Sequence, residues 1–103
     1  MKVTFLGTGA AFPDPERGQS GILITLSNQR HFLFDCGAGT TRQLVCAGVD
    51  PADVGVVCLS HLHHDHICDF PAFIITGWMF EREKSPILLG PKGVKHFSNH
   101  LFE

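Results

Sequence analysis

Short apolar stretches, separated by polar, glycine-rich or proline-containing segments, recur along the chain and predict β-strands. Two of them, residues 21–26 and 31–34, are joined by the polar segment 27–30, which is the spacing of an antiparallel hairpin. The later stretch 54–59 is almost wholly apolar and is typical of a buried strand. The five predicted strands are residues 3–6, 21–26, 31–34, 54–59 and 87–89.

Three other segments place apolar residues at helical intervals. The first helix is predicted from residue 40 or 41 to residue 47, with Leu44 and Val45 at helical spacing and Gly48 as its stop. The second helix begins after Asp69, which can cap it, and the third follows the turn at residues 90–93. Their apolar faces comprise Phe73, Ile74, Gly77 and Trp78 in the second helix, and Val94, Phe97 and Leu101 in the third.

The order of these elements predicts a mixed α/β fold, because a helix connects the strands that end at residues 34 and 59. We expect Trp78 to belong to the core rather than to a pocket wall, and residues 81–85 to form a charged, solvated link. With 103 residues, 44% of them hydrophobic, the chain can bury one small core and forms a single domain, residues 1–103.

Charge and cysteine content narrow the function classes. A net charge of −2 with only eight Lys and Arg argues against strong nonspecific binding of nucleic acid by this segment alone. The first apolar stretch breaks at Gly7, too early for a signal peptide, and no run approaches the roughly 18 apolar residues of a membrane span. We expect all four cysteines to be small, buried, reduced side chains of a cytoplasmic protein. They are Cys36, Cys46, Cys58 and Cys68.

The candidate functional residues form a cluster after the fourth predicted strand, where the order His-x-His-x-Asp-His follows Ser60. An irregular turn can bring His61 and His63 onto one ion, whereas a helix would point residues two apart to different faces. Asp65 and His66 are adjacent and suit a second ion. Imidazole nitrogens with one carboxylate favour Zn²⁺, with Mn²⁺ or Fe as alternatives.

Such a centre needs no nucleophile from the protein, because a metal-bound water with a pKa near roughly 7 supplies hydroxide. A structural zinc site is the competing interpretation. Structural sites normally have four ligands, often cysteines, and no two cysteines here have C-x-x-C spacing. The pattern therefore favours a catalytic centre.

Other polar residues leave alternatives open. Asp35 emerges from an apolar strand and is either a supporting carboxylate beside the metal site or an ordinary turn or cap residue. His31 is expected at the surface or half-buried. His96 and His100 have a metal-compatible spacing of four, but with no acidic partner between them we expect exposed histidines.

Three blocks of the sequence stand out, namely Phe5–Ala11, Leu33–Thr40 with Gln43 and Leu44, and Leu59–His66. Together they resemble the metallo-β-lactamase superfamily of hydrolases, and within it the branch typified by ribonuclease Z. The Gly-Pro turn at residue 90 is a weaker similarity. The His cluster alone specifies the superfamily, and the other two blocks point to its phosphodiesterase side.

The resemblance implies that residues 1–103 are the N-terminal half of an αββα sandwich, a mixed sheet with flanking helices. It implies two zinc ions, with Asp35 supporting the site from beneath and Asp65 orienting the attacking hydroxide. The expected substrate is a phosphodiester, with RNA, such as the 3′ end of a precursor tRNA, as one candidate. The implied metal ligands are His61, His63, Asp65 and His66, with no other cofactor.

The chain also departs from the family pattern. The family adds a further His, a bridging Asp and a final His, which we expect beyond Glu103. His64 replaces a commonly small residue and Asp69 a usual glycine, so the substrate-side loop is expected to differ. The alternatives are a superfamily hydrolase of another ester, a thioester or a lactam, and a truncated, non-catalytic module that binds metal or self-associates as a homo-oligomer.

Overall fold

The structure, a computed structural model, describes residues 1–102 and contains one five-stranded sheet with the strand order β1-β2-β3-β4-β5. The first three strands run antiparallel, whereas β3, β4 and β5 are parallel to one another. The predicted hairpin and mixed sheet are therefore confirmed. The strands are β1 Lys2–Gly7, β2 Gly21–Thr25, β3 His31–Phe34, β4 Val54–Cys58 and β5 Ile87–Leu89.

The predicted helices are also present. Gly48, with a φ of 78°, follows the first of them and forms its stop, because a glycine adopts this left-handed conformation without steric cost. No helix within residues 1–102 has the length and apolarity to span a membrane. The helices are α1 Thr40–Cys46, α2 His64–Ile67, α3 Phe70–Met79 and α4 Val94–Leu101, with a 3-10 turn at Pro51–Asp53.

The core lies between one face of the sheet and the helices. Leu23, Leu33 and Val57 are aligned across β2, β3 and β4, and their side chains are buried against the helices. Leu44 of α1 and Phe73 of α3 complete this layer, and both are fully buried. Burial of such side chains contributes roughly 1.5–3 kcal/mol each, so this single layer is the main source of stability.

The opposite face of the sheet is apolar but open. Side chains alternate between the two faces of a strand, so the pairing register places two rows of apolar residues on this second face. Phe5 is 67% exposed there. We call this surface the open sheet face; its rows are Val3, Ile24, Phe32, Val56 and Ile87, and Phe5, Ile22, Phe34, Cys58 and Leu89.

Trp78 does not belong to the core, which corrects the sequence prediction. Its side chain is 74% exposed. The buried stripe of α3 contains Phe70, Phe73 and Gly77, and Trp78 lies about 100° around the helix from Gly77. It lines a groove between α3 and α4 instead.

The link 81–85 is not fully solvated, because Arg82 folds back against the body of the protein. Its guanidinium donates to the carbonyl oxygens of Val54 at 2.8 Å and Pro51 at 2.7 Å. Burial lowers its pKa, although the nearby carboxylates of Asp50 and Asp53 act in the opposite direction. Arg82 thus fastens the end of α3 to the start of β4.

Two of the four cysteines also differ from the prediction. Cys36 is buried and Cys58 half-buried, whereas Cys46 and Cys68 are exposed. Cys46 is the last residue of α1, and neighbouring Val45 is likewise exposed, at 51%. The short helix α1 therefore directs Val45 and Cys46 away from the core, and Leu44 is its buried apolar side chain.

Candidate metal centre

The candidate site lies where the parallel strands β3 and β4 end. Phe34 and Cys58, the last residues of the two strands, are paired, so the segments that follow them emerge side by side. The backbone N–H of Asp35 donates to the carbonyl oxygen of Cys58 at 2.8 Å. Asp35 has a φ of 64°, a left-handed conformation that Asp tolerates better than most residues. This turn directs its carboxylate toward the His cluster.

Asp35 is buried and accepts hydrogen bonds from two residues of the cluster. Ser60 donates its backbone N–H to Oδ1 at 2.7 Å, and its hydroxyl lies 2.8 Å from Oδ2. His66 Nδ1 lies 2.7 Å from Oδ2. Burial raises the pKa of the Asp35 carboxyl, but the hydrogen bonds from Ser60 and His66 outweigh it and hold the pKa below its ordinary value. Asp35 is therefore ionised at neutral pH.

This network assigns the tautomers of two histidines. An ionised carboxylate only accepts, so His66 donates from Nδ1, and in the neutral ring the lone pair is then on Nε2. The Ser60 hydroxyl has one proton, which it donates to Asp35, so it accepts from His61 Nδ1 at 2.9 Å. Both rings thus present Nε2 as the electron-pair donor, the form in which histidine binds a metal.

The four predicted ligands lie close together. The ring of His61 is 4.0 Å from that of His66 and 4.7 Å from that of His63, measured between centroids. His66 Nε2 and Asp65 Oδ2 face each other at 3.3 Å. Within residues 1–102, no three His, Cys, Asp or Glu side chains converge in the arrangement of a metal cluster. The turn therefore gathers the donors, and their role as ligands stays a prediction.

The chemistry of these donors fits a divalent ion. Three imidazoles and one carboxylate are the ligand types that zinc and related ions take. Burial raises the pKa of the Cys36, Cys58 and Cys68 thiols, and none of these cysteines belongs to the predicted ligand set. Imidazole and carboxylate are thus the donors available at this turn.

The local backbone explains how the ligands are placed. His61 and His63 precede α2 in an irregular segment, as predicted, while Asp65 and His66 lie within the single turn of α2. The short helix α2 was not predicted, whereas the helix predicted after Asp69 is α3, which begins at Phe70. The N–H of Cys36 donates to the carbonyl oxygen of His66 at 2.7 Å, which fixes this turn against the loop after β3.

The second and third sequence blocks meet at this point, beside Gln19. A side chain at Gly37 would collide with the carbonyl oxygen of Asp65 and with Gln19, so only glycine allows this approach. Gln19 is buried, and its Oε1 accepts hydrogen bonds from Ala38 N–H at 3.2 Å and Cys68 Sγ at 3.3 Å. Gln19 lies outside the three sequence blocks, and no local pattern in the sequence predicted this role.

Asp69 differs from its prediction as a cap. It precedes α3, but its side chain makes no capping bond to that helix. Its Oδ2 instead accepts the N–H of Thr41 at 2.7 Å, at the start of α1. Asp35 makes no such bond to α1, so its carboxylate serves the His cluster rather than a helix end.

The remaining histidines lie apart from the site and match their predictions. His31 is half-buried, and its Nδ1 lies 2.9 Å from the hydroxyl of Thr25. His96 and His100 are exposed on α4 with ring centroids 4.0 Å apart, and His100 Nδ1 donates to the carbonyl oxygen of His96.

Comparison with known proteins places this site among proteins of one fold. The family model described as "Anti-Pycsar protein Apyc1" matches residues 1–101. Ribonuclease Z of Methanothermobacter thermautotrophicus is 40% identical over 94 residues, a match that covers 91% of this chain and 30% of that protein. Ribonuclease Z of Methanocaldococcus jannaschii is 40% identical over 95 residues, with 92% and 30% covered. The chain thus spans about 30% of the length of these curated relatives.

Solved structures agree with the sequence matches. Human tRNase Z, short form (ELAC1), superposes with a TM-score of 0.86 at 36% identity, covering 98% of this chain and 38% of that one. The metallo-β-lactamase fold protein YhfI from Bacillus subtilis gives 0.81 at 26% identity, covering 98% and 41%. The mixed sheet with flanking helices is therefore the architecture found in these proteins.

Proposed function

Because the chain belongs to the Anti-Pycsar protein Apyc1 family and to the ribonuclease Z-like branch of the metallo-β-lactamase superfamily, we propose that the whole protein is a metal-dependent phosphodiesterase. RNA is the substrate we favour, since the relatives that match are ribonucleases Z. The observation that carries the proposal is the Asp35–His66 hydrogen bond of 2.7 Å, which frees His66 Nε2 for an ion.

In this proposal His61 and His63 hold one ion, and Asp65 and His66 hold the second. The bound ions supply Lewis-acid stabilisation of the charge that develops on the phosphoryl oxygens. Asp65 accepts a hydrogen bond from the attacking water and orients it toward phosphorus. Asp35 holds the imidazole of His66 in one tautomer, so that no proton on Nε2 competes with the ion.

The proposal also includes which metal the protein binds and in which cellular compartment it lies. We favour two zinc ions, with manganese or iron as alternatives, because the donors are mainly imidazole. Four free cysteines support a reducing compartment such as the cytoplasm. We further propose that residues 1–103 form the first half of an αββα sandwich whose other ligands come from outside this segment.

A substrate panel tests the reaction class. The full-length protein loaded with zinc should hydrolyse bis-p-nitrophenyl phosphate and a precursor RNA, and should leave a cephalosporin, an aryl sulfate and a thioester intact. Removal of the metal by a chelator should abolish the hydrolysis, and added zinc should restore it. Preferred turnover of the lactam or the thioester would replace this proposal with the alternative superfamily activity.

Self-association is a second property that we propose for residues 1–103 as a separate polypeptide. The open sheet face supports it, since exposed apolar surface of this kind favours pairing with another copy. In sedimentation velocity, this polypeptide should associate at micromolar concentration, and Phe5→Lys with Leu89→Lys should reduce association. Val45→Lys is the matched control, because Val45 is exposed on α1, away from this face. A monodisperse wild-type monomer would contradict the prediction.

A further inference from the structure

The loop of residues 8–18 is anchored at its base. The N–H of Gly9 donates to the carbonyl oxygen of Gly18 at 2.8 Å, which closes the two ends of the loop onto each other. The next residue, Gln19, donates its N–H to the carbonyl oxygen of Ala38 at 2.9 Å. A Cβ at Gly9 would lie 2.8 Å from the Gly18 oxygen, so this closure depends on glycine. The base of the loop is therefore tied to the segment after β3.

The middle of the same loop is tied to the His cluster by one side chain. His64 Nε2 lies 2.8 Å from the carbonyl oxygen of Ala11, across 53 residues of sequence. A carbonyl oxygen only accepts, so Nε2 carries the proton and is the donor. Because His64 stands between His63 and Asp65, the bond attaches the loop to the turn that gathers the candidate ligands.

The residue after this anchor is Phe12, an aromatic side chain that is 70% exposed. The next five residues, 13–17, are all charged or proline, for example Asp14, Glu16 and Arg17, so the ring lacks an apolar cluster on this side of the loop. Phe12 directly follows Ala11, whose carbonyl oxygen contacts His64, so the backbone at Phe12 lies near the turn that carries the candidate ligands. An exposed aromatic ring in such a position offers a stacking surface for a nucleobase.

We propose that Phe12 stacks on a base of the substrate, and that His64 is the positioning residue that holds the 8–18 loop at the metal centre. The inference rests on the proposed phosphodiesterase function and assigns to Phe12 the contact with a base beside the scissile phosphate. His64 binds neither ion in this assignment, since its Nε2 is engaged with Ala11.

Hydrogen exchange tests the role of His64 without reference to activity. In the full-length protein, with and without zinc, His64→Ala should make the hydrogen-bonded amides of Gly9 and Glu16 exchange about 2- to 10-fold faster, because one hydrogen bond that holds the loop is lost. His64→Gln keeps a donor at the ε position and should restore near wild-type protection. Unchanged exchange in His64→Ala would overturn the positioning role.

Substrate discrimination tests the role of Phe12. Phe12→Ala should raise KM and Kd for the dinucleotide adenylyl-adenosine about 5- to 160-fold, as expected for one lost base stack, with a much smaller change in kcat. The same phosphodiester with abasic riboses should be unaffected, and Phe12→Trp should retain the affinity. Phe80→Ala is the matched control, because Phe80 is an exposed aromatic at the end of α3.

The two hypotheses fail in different ways. If the zinc-loaded wild-type protein hydrolyses neither the dinucleotide nor bis-p-nitrophenyl phosphate, the phosphodiesterase function is wrong, whereas calorimetric Kd values still report on stacking. If hydrolysis occurs but Phe12→Ala changes KM and Kd equally for the dinucleotide and its abasic analogue, or for neither, base stacking by Phe12 is wrong.

Discussion

Replacing Asp65 by Ala in the full-length protein should lower kcat/KM for phosphodiester hydrolysis by about a thousandfold or more. In the proposed site this carboxylate both holds an ion and orients the attacking water, and each tenfold loss of rate corresponds to about 1.36 kcal/mol of transition-state stabilisation. Asp65 lies 3.3 Å from His66 Nε2, so its removal changes the donor set where the ligands meet. The measurement is hydrolysis of bis-p-nitrophenyl phosphate together with zinc content by mass spectrometry.

The matched control is Glu83→Ala, which removes an exposed carboxylate in the link after α3 and should leave both readouts unchanged. An Asp65→Ala protein that remains active after its metal has been removed would show that the His cluster is not the catalytic centre. A folded variant with lower zinc content and no hydrolysis would agree with the assignment of Asp65.

Replacing Asp35 by Asn should lower zinc affinity about 10- to 100-fold, the usual effect of losing the partner that orients a histidine ligand. The Ser60 N–H needs an acceptor at the Oδ1 position, so the Asn amide nitrogen takes the position that faces His66, and His66 Nδ1 can bond to this donor only by giving up its proton. The proton then resides on Nε2 and blocks the atom assigned to the ion. Competition with a chromophoric chelator measures the affinity, and the nitrogen chemical shifts of the His66 ring report the tautomer.

Asp35→Ala tests how much the hydrogen bonds of Asp35 stabilise the fold, apart from their effect on the orientation of the His66 ring. It removes every acceptor for the Ser60 N–H, the Ser60 hydroxyl and His66, and Ala fits the left-handed φ of 64° less well than Asn. The free energy of unfolding should fall by about 2–4 kcal/mol, more than for Asn, as measured by urea denaturation. If Asp35→Asn binds zinc as tightly as the wild type and keeps the tautomer, Asp35 is only a turn residue.

The strands were predictable because each is a short apolar run bounded by turn residues, a signal that is local in the sequence. All five strands were found within two residues of their expected ends, for instance β3 at His31–Phe34. The His cluster was equally visible, since its candidate ligands lie within six residues of one another. Trp78 shows the limit of the same reasoning, because a helical stripe does not specify how far around the helix the neighbouring layer extends.

The sequence by itself determined the strand and helix order, the ligand types and the resemblance on which the family assignment was first based. Only the tertiary structure showed that the Asp35 carboxylate contacts Ser60 and His66, that Gln19 is buried between two loops, and that His64 contacts Ala11. The physical reason is distance along the chain: His66 is 31 residues from Asp35, and His64 is 53 residues from Ala11. Such contacts depend on the register of β3 with β4 and on glycines that let two backbone segments approach closely. No local pattern of residues encodes either feature.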